Sequence, residues 1–391
     1  MTIGTVGFVK DRLKQAREGR ALTLVAMGDL IGVTSAAISH YEKGDHTPRP
    51  ELLEKLAAKL NLPASFFLKP APVSRESARL FFRSMSSATK QARTRAMRRY
   101  EWFIEIVDYL GEYFDFPSAS VPKFDVPDDF RQLDLRLIDS LAEQTRDEWR
   151  LGRGPIADVV RTLEANGVMV SSGPLGCEHL DAFSEFEGRG RPFVFLNSDK
   201  GIRVRSRFDA AHELGHLVLH RNVDKKTLNR AADFKQLEDQ AHYFANSFLM
   251  PSVSFSSELW APTLDGFRAL KSRWNVSIAA MIYRSRSLKM VSDDEVKRLW
   301  INLNRRGWRQ QEPLDDLPAE RPQMIAKCVQ TLVNEGVKSK EQILDDLRLS
   351  PKDIEELAGL PAGYLSGDKP DAETSPKLKR TRSGNVLEFR R

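Results

Sequence analysis

Between residues 208 and 220 the chain abandons the amphipathic rhythm of a surface helix, because Ala210, Ala211, Leu214, Leu217, Val218 and Leu219 leave hardly any polar face. A stretch that is apolar nearly all round predicts a helix sunk in a core. A second helix is predicted over about 234–249, where Leu237, Ala241, Phe244, Ala245, Phe248 and Leu249 share one side. Upstream, Gly167-Val-Met-Val and Pro192-Phe-Val-Phe-Leu-Asn197 read as short strands among glycine-rich turns. The second leads into the 208–220 helix, either as a sheet edge open to an extended peptide or as a central strand with no edge.

The N-terminal pattern is helical throughout. Residues 8–17 form a first helix, and Thr23 caps a second that runs to Ile31 and stops at Gly32. Thr34 or Ser35 caps a third through Lys43, Gly44 ends it, and residues 50–60 make a fourth; Leu30, Ile38, Leu52 and Leu56 are its expected core. From Arg79 a long helical stretch is predicted to about Phe114, with Tyr100, Phe103, Ile104, Val107 and Leu110 as its packing stripe. The basic cluster Lys90, Arg93, Arg95, Arg98 and Arg99 reads as a solvated face. Residues 117–127, rich in proline and serine, read as a linker. Helices over 133–151 and 156–165 follow, the latter with Pro155 at its first position. Residues 270–284 hold a two-helix turn with Val276-Ser277 at the cap, and 312–365 a separate small helical unit. A polar link over 366–376, a basic tail over 377–382 and a final strand over 385–389 complete the reading.

The fold class is therefore mainly α, with an α+β centre. Four regions are expected: residues 1–70 as a helical domain, 71–127 as connector and linker, 128–300 as the domain around the buried helix, and 301–391 as a small helical unit with a basic tail. Hydrophobic content of 41% in 391 residues fits an ordinary globular chain of this length. Charge is divided unevenly, residues 1–100 carrying 18 Lys/Arg against 8 Asp/Glu and the remainder 42 against 46, so a polyanion is the expected partner of the N-terminal end. Cys177 and Cys328 lie too far apart in sequence for a disulfide framework and read as small hydrophobes in a reducing compartment. Without a membrane-spanning run or signal-peptide pattern, a cytoplasmic location is expected.

Chemistry concentrates at His212-Glu213-Leu214-Gly215-His216. Histidines four apart lie about 40° around a helix axis and one turn along it, so both imidazoles reach one ion. Burying them with a carboxylate is costly unless a cation satisfies all three; the alternative is a pair of core histidines. A catalytic zinc requires a third protein ligand and keeps a fourth position for water. Glu238, Asp239, His220, His242 and His179 are the candidates. Glu238 falls on the buried face with Ala241 and Ala245 and is the better placed carboxylate, with His242 as its rival. His220, about 12 Å along the axis from His212, reads as a packing or supporting residue.

The run Leu24-Val-Ala-Met-Gly-Asp-Leu-Ile-Gly-Val-Thr-Ser-Ala-Ala-Ile-Ser-His-Tyr-Glu-Lys-Gly44 resembles the helix-turn-helix of XRE-type repressors, over about 8–68. The resemblance implies double-stranded DNA as partner, with Thr34 among the DNA-binding residues, Ser35, Ala36, Ser39 and His40 toward base edges, and Lys43, His46 and Arg49 nearer phosphates. Leu24 stands where family members often carry glutamine. A homodimer is the expected assembly.

Residues 208–220, followed by Glu238-Asp-Gln-Ala-His-Tyr-Phe-Ala-Asn-Ser-Phe-Leu-Met-Pro251, resemble the ImmA/IrrE family of zinc metallopeptidases, over about 133–288. Residues 79–113 are similar to the connector of members fused to an XRE-type domain. The resemblance implies one zinc ion per chain on His212, His216 and Glu238, with Glu213 as catalytic base. It also implies a repressor as substrate, since members without the fusion cut repressors, while fused members are transcriptional regulators. Asp209 is a candidate to orient an imidazole, and Tyr243 or Tyr283 to donate to an oxyanion; a carboxylate at a helix N-terminus and core tyrosines are the alternatives. Two functions remain open: a metalloendopeptidase targeted to an operator, and a transcription factor whose zinc domain senses a ligand or serves as scaffold.

Overall fold

A computed structural model describes residues 4–71, 80–82, 89–177, 181–185, 191–199, 201–228 and 230–367. His179, the basic tail and the expected final strand lie outside the described residues. The chain begins with α1 (Lys10–Gly19), α2 (Leu24–Ile31), α3 (Ser35–Lys43) and α4 (Pro50–Leu60), then β1 (Leu80–Phe82) and α5 (Lys90–Leu110). The centre comprises α6 (Leu135–Glu148), α7 (Val159–Ala165), β2 (Met169–Gly173), β3 (Ala182–Glu185), β4 (Phe193–Asn197), α8 (Arg203–Leu219), α9 (Lys225–Leu228) and α10 (Ala231–Leu249). Helices α11 (Ser252–Glu258), α12 (Leu264–Trp274), α13 (Ile278–Ser287), α14 (Asp293–Arg305), α15 (Met324–Asn334), α16 (Lys340–Leu347) and α17 (Pro351–Ala358) follow. The fold is mainly α around a small sheet.

That sheet runs in the order β1-β3-β4-β2, with β2 parallel to β4 and the other pairs antiparallel. Alternation along the strands divides the molecule into two cores. Val170, Ala182, Val194 and Leu196 face a layer holding Ala210, Leu214, Leu217, Leu237 and Phe244 of α8 and α10. Met169, Phe183, Phe193 and Phe195 face Tyr100 and Phe103 of α5, in a core that also takes in α1 to α4 and α15 to α17.

Several expectations change. Residues 80–82 form a strand, not the start of the connector helix, which begins at Lys90 behind the cap Thr89 and ends at Gly111. β3 carried no readable period in four residues. β4 is paired on both sides and has no free edge. Pro155 precedes α7, which starts at Val159 because the Asp158 carboxylate accepts from the Arg161 amide and caps it. Leu30 is 39% exposed, so it is not core, while Ile38 and Leu56 are fully buried.

The connector arginines are not a solvated face either. Arg98 pairs with Glu18 and Glu101, and buried Arg99 with Asp353 and Glu356. Residues 117–127 lack regular structure but bury Val121 and Val126, so they are packed rather than a free tether. The C-terminal helices share the second core with α5: Arg20 reaches Asp353, and Glu164 accepts from the amides of Gln323 and Met324. Both cysteines are half-buried, and burial pushes the Cys328 thiol up to about 11. Among the described residues no helix is long and apolar enough to cross a membrane.

Candidate metal centre

The site is made where α8 and α10 touch. Gly215 sits at the crossing, where a Cβ would come 3.2 Å from both the Cα and the carbonyl oxygen of Ala241. Lacking one, the helices approach closely enough for Glu238, one turn before Ala241, to reach the imidazoles of His212, about one turn before Gly215, and of His216, next to it. His216 Nε2 lies 3.1 Å from His212 Nε2 and 3.1 Å from Glu238 Oε1, and His212 Nε2 lies 3.4 Å from Glu238 Oε2. Ligand atoms about 2.0–2.1 Å from a tetrahedral ion stand about 3.3–3.4 Å from one another, so the triangle fits such an ion. Among the described residues this is the one group of three or more His, Cys, Asp or Glu arranged to hold a metal. His212, Glu213 and His216 are fully buried, and the Glu238 side chain is 15% exposed.

Two residues that were not singled out in the sequence support the group. Ser184 of β3 donates to Glu213 Oε2 at 2.6 Å. Gln240 joins a chain of contacts behind the imidazoles: His216 Nδ1 meets His220 Nδ1 at 2.9 Å, His220 Nε2 meets Gln240 Oε1 at 3.0 Å, and Gln240 Nε2 donates to the Phe130 carbonyl at 2.7 Å. Burial, reinforced by His216, drives the His220 pKa well below the usual histidine range. Gln240 was legible as a polar residue on a buried helix, whereas Ser184 offered no sequence signal.

The other candidates are placed elsewhere. Asp239 is exposed and paired with Lys235. The His242 ring lies beside the site, 4.6 Å from that of Phe208 and 5.7 Å from that of His212, but outside the three-residue group. Tyr243 interacts with Arg284 and Ser287, and exposed Tyr283 packs on Trp300, which fits the alternative of packing tyrosines. Asp209 is buried and borders a small cleft with Arg205 and Ser206.

At the N-terminal end, Thr23 caps α2 and Thr34 caps α3 by accepting from the amides of Ala26 and Ala37. Gly32 takes φ 74° between the two helices, a conformation that an L side chain would strain. Thr34, Ala36, His40, Lys43 and Arg49 are exposed, and Ser35 and Ser39 are half-buried. His40 Nδ1 lies 2.9 Å from Asp45 Oδ2, and that contact lowers the Asp45 pKa.

Comparison with known families finds matches to two regions of the chain. Residues 13–67 match the helix-turn-helix family, and residues 163–286 match the family described as the IrrE N-terminal-like domain. The chain thus joins an XRE-type helix-turn-helix domain to an ImmA/IrrE-like peptidase-family domain. It is also similar to RghRB of Bacillus subtilis (strain 168), described as an HTH-type transcriptional regulator. The match is 28% identical over 128 residues and covers 29% of this chain and 92% of the relative.

Proposed function

We propose that the protein is a DNA-binding transcriptional regulator whose ImmA/IrrE-like domain is a zinc metalloendopeptidase that cuts a repressor, or its own chain, to switch transcription. The observation that carries this reading is the convergence of two imidazoles and a carboxylate beside Glu213, a buried acid outside the candidate ligand set. A purely structural zinc site closes its fourth position with protein and has no use for a base. Zinc, when bound by His212, His216 and Glu238, supplies a Lewis acid that acidifies water and offsets developing negative charge. Glu213 takes the proton as the water oxygen bonds to the peptide carbonyl carbon, then delivers it to the departing amine as the C–N bond breaks. Ser184 fixes the rotation of the Glu213 carboxylate during both transfers.

Cleavage in this reading is gated. β3, the strand that touches Glu213, has its outer edge covered by β1, with Phe81 opposite Ser184. A peptide adding to that edge must first displace residues 80–82.

The DNA-binding part rests on α3 and its exposed Thr34, Ala36, His40 and Lys43, joined by Ser35, Ser39 and Arg49, with a homodimer on two half-sites as the working assembly. A second reading, a ligand sensor that cuts nothing, is favoured by a cavity of about 640 Å³ lined by Asn61, Ser172, Gly173, Lys352 and Glu356, between α4, the sheet and α17. Glu213→Gln separates the two. Metal content and operator binding persist in either case, and only the peptidase reading requires that release of repression in cells disappears. Persisting release overturns it.

A further inference from the structure

His220 and Gln240 have no part in the transfer chemistry, yet both are buried directly behind the candidate ligand His216. Their hydrogen bonds can be followed from the one fixed end. Two backbone carbonyls, those of Phe130 and Leu133, face one terminal atom of the Gln240 amide at 2.7 and 3.4 Å. A carbonyl only accepts, so that atom is the nitrogen and the oxygen faces His220. An amide oxygen in turn only accepts, so His220 Nε2 carries a hydrogen; a second hydrogen on Nδ1 would bury an imidazolium between an amide and an imidazole, so Nδ1 keeps its lone pair. That lone pair lies 2.9 Å from His216 Nδ1, which must therefore be the donor. The remaining nitrogen of His216, Nε2, then presents a lone pair toward Glu238 Oε1 at 3.1 Å. His212 Nε2, 3.1 Å away, faces the same lone pair, so His216 Nε2 points into the middle of the three-residue group.

We infer that Gln240 and His220 are positioning residues: a directed chain from the Phe130 carbonyl that holds His216 in its Nδ1–H tautomer, with Nε2 preset as a metal-ligating lone pair. This deepens the metallopeptidase reading and rests on it for the metal, but the tautomers themselves belong to the protein without any ion. A ring so held does not rotate or exchange its hydrogen to bind, and its nitrogen is made more basic by what it donates to. His220 thus has a defined task although it is too far along the helix to share the ion with His212.

The test uses the full chain. With seven histidines, long-range nitrogen–proton NMR spectra resolve each ring. In metal-free protein His220 is expected as the Nε2–H tautomer and His216 as Nδ1–H. Zinc affinity is then measured by chelator competition for three variants. His220→Phe and Gln240→Leu break the chain and are expected to weaken zinc binding about tenfold to a hundredfold. His220→Asn puts an amide oxygen where Nδ1 stood, so it restores the acceptor for His216 and is expected to stay within about threefold of wild type. Cobalt-substituted protein should show an altered visible spectrum in the first two variants and not in the third. An Nδ1–H tautomer at His220, or equal affinity in His220→Phe and wild type, overturns the inference. Failure of the wild type to take up zinc would instead sink the metal reading and leave the tautomer result to be judged alone.

Discussion

Ser184 on β3 and Glu213 on α8 are joined by a hydrogen bond of 2.6 Å, which links the sheet to the acid at the centre of the metal-helix motif. It ties the rotation of a buried carboxylate to the strand against which a substrate would align. Ser184→Ala removes that restraint without touching the candidate ligands. A hydrogen bond to a charged group contributes about 1.5–3 kcal/mol, so cleavage by zinc-loaded protein should fall about tenfold or more, with zinc content unchanged. Peptidase turnover set beside metal analysis checks this; unchanged turnover would deny Ser184 its role.

The occupied edge of β3 makes a separate prediction. In an antiparallel pair, successive residues point their amides alternately toward and away from the partner, so either Phe81 or both Leu80 and Phe82 donate to β3. Phe81→Pro and the double variant Leu80→Pro/Phe82→Pro therefore differ: one removes ladder hydrogen bonds and the other does not. The variant that loses them should cleave peptides faster than wild type. Equal rates in all three proteins would show that residues 80–82 do not gate the site.

On the DNA side, Lys43 and Arg49 are exposed at the end of α3 and the start of α4, in the positions expected to meet phosphates. Replacing both with alanine should weaken binding to all sequences alike and lower the salt dependence of the binding constant by about two charges. Ser39→Ala should instead change preference among operator sequences. Fluorescence anisotropy titrations at several salt concentrations measure both effects.

Asp353 ties the C-terminal helices to the helix-turn-helix end through Arg20 and to α5 through Arg99. Burial alone would raise its pKa, but the hydrogen bond and charge of Arg20, with Ser350 and Arg99, outweigh it and hold the group below the usual aspartate value. A depressed folded-state pKa contributes stability that is complete above the unfolded value of 3.8 and is lost as pH falls through the folded one. Asp353→Asn should therefore cost about 2 kcal/mol at neutral pH, less than a fully buried pair because Arg20 is 21% exposed. The gap between variant and wild type should narrow as pH falls below 3.8 and vanish only once the folded carboxylate is protonated. Thermal melts across that range give the answer, and a pH-independent difference would contradict it.

Local signals were the readable ones. Caps at Thr23 and Thr34 and the turn at Gly32 belong to neighbouring residues, so the helix-turn-helix could be placed from sequence, and the spacing of His212 and His216 put two donors on one helix face in the same way. Leu30 reads as core yet stands exposed, because period alone does not say which side of a short helix a neighbour covers. β1 was read as helix because three apolar residues, Leu80, Phe81 and Phe82, suit a helical stripe as well as a strand. The basic cluster on α5 looked solvated because its acidic partners, Glu18, Asp353 and Glu356, are remote in sequence.

What the sequence by itself determined was the set of elements and the chemistry each carries, since helix caps, periodicity and the four-residue spacing of histidines act within a turn or two of the chain. Only the tertiary structure decided how these are joined: that Gly215 lets Glu238 come within reach of the imidazoles, that Ser184 meets Glu213, that Gln240 directs His220, and that the C-terminal helices clasp α5. Each of those depends on contacts between residues 20 to more than 250 positions apart, set by how two cores fill on either side of one small sheet.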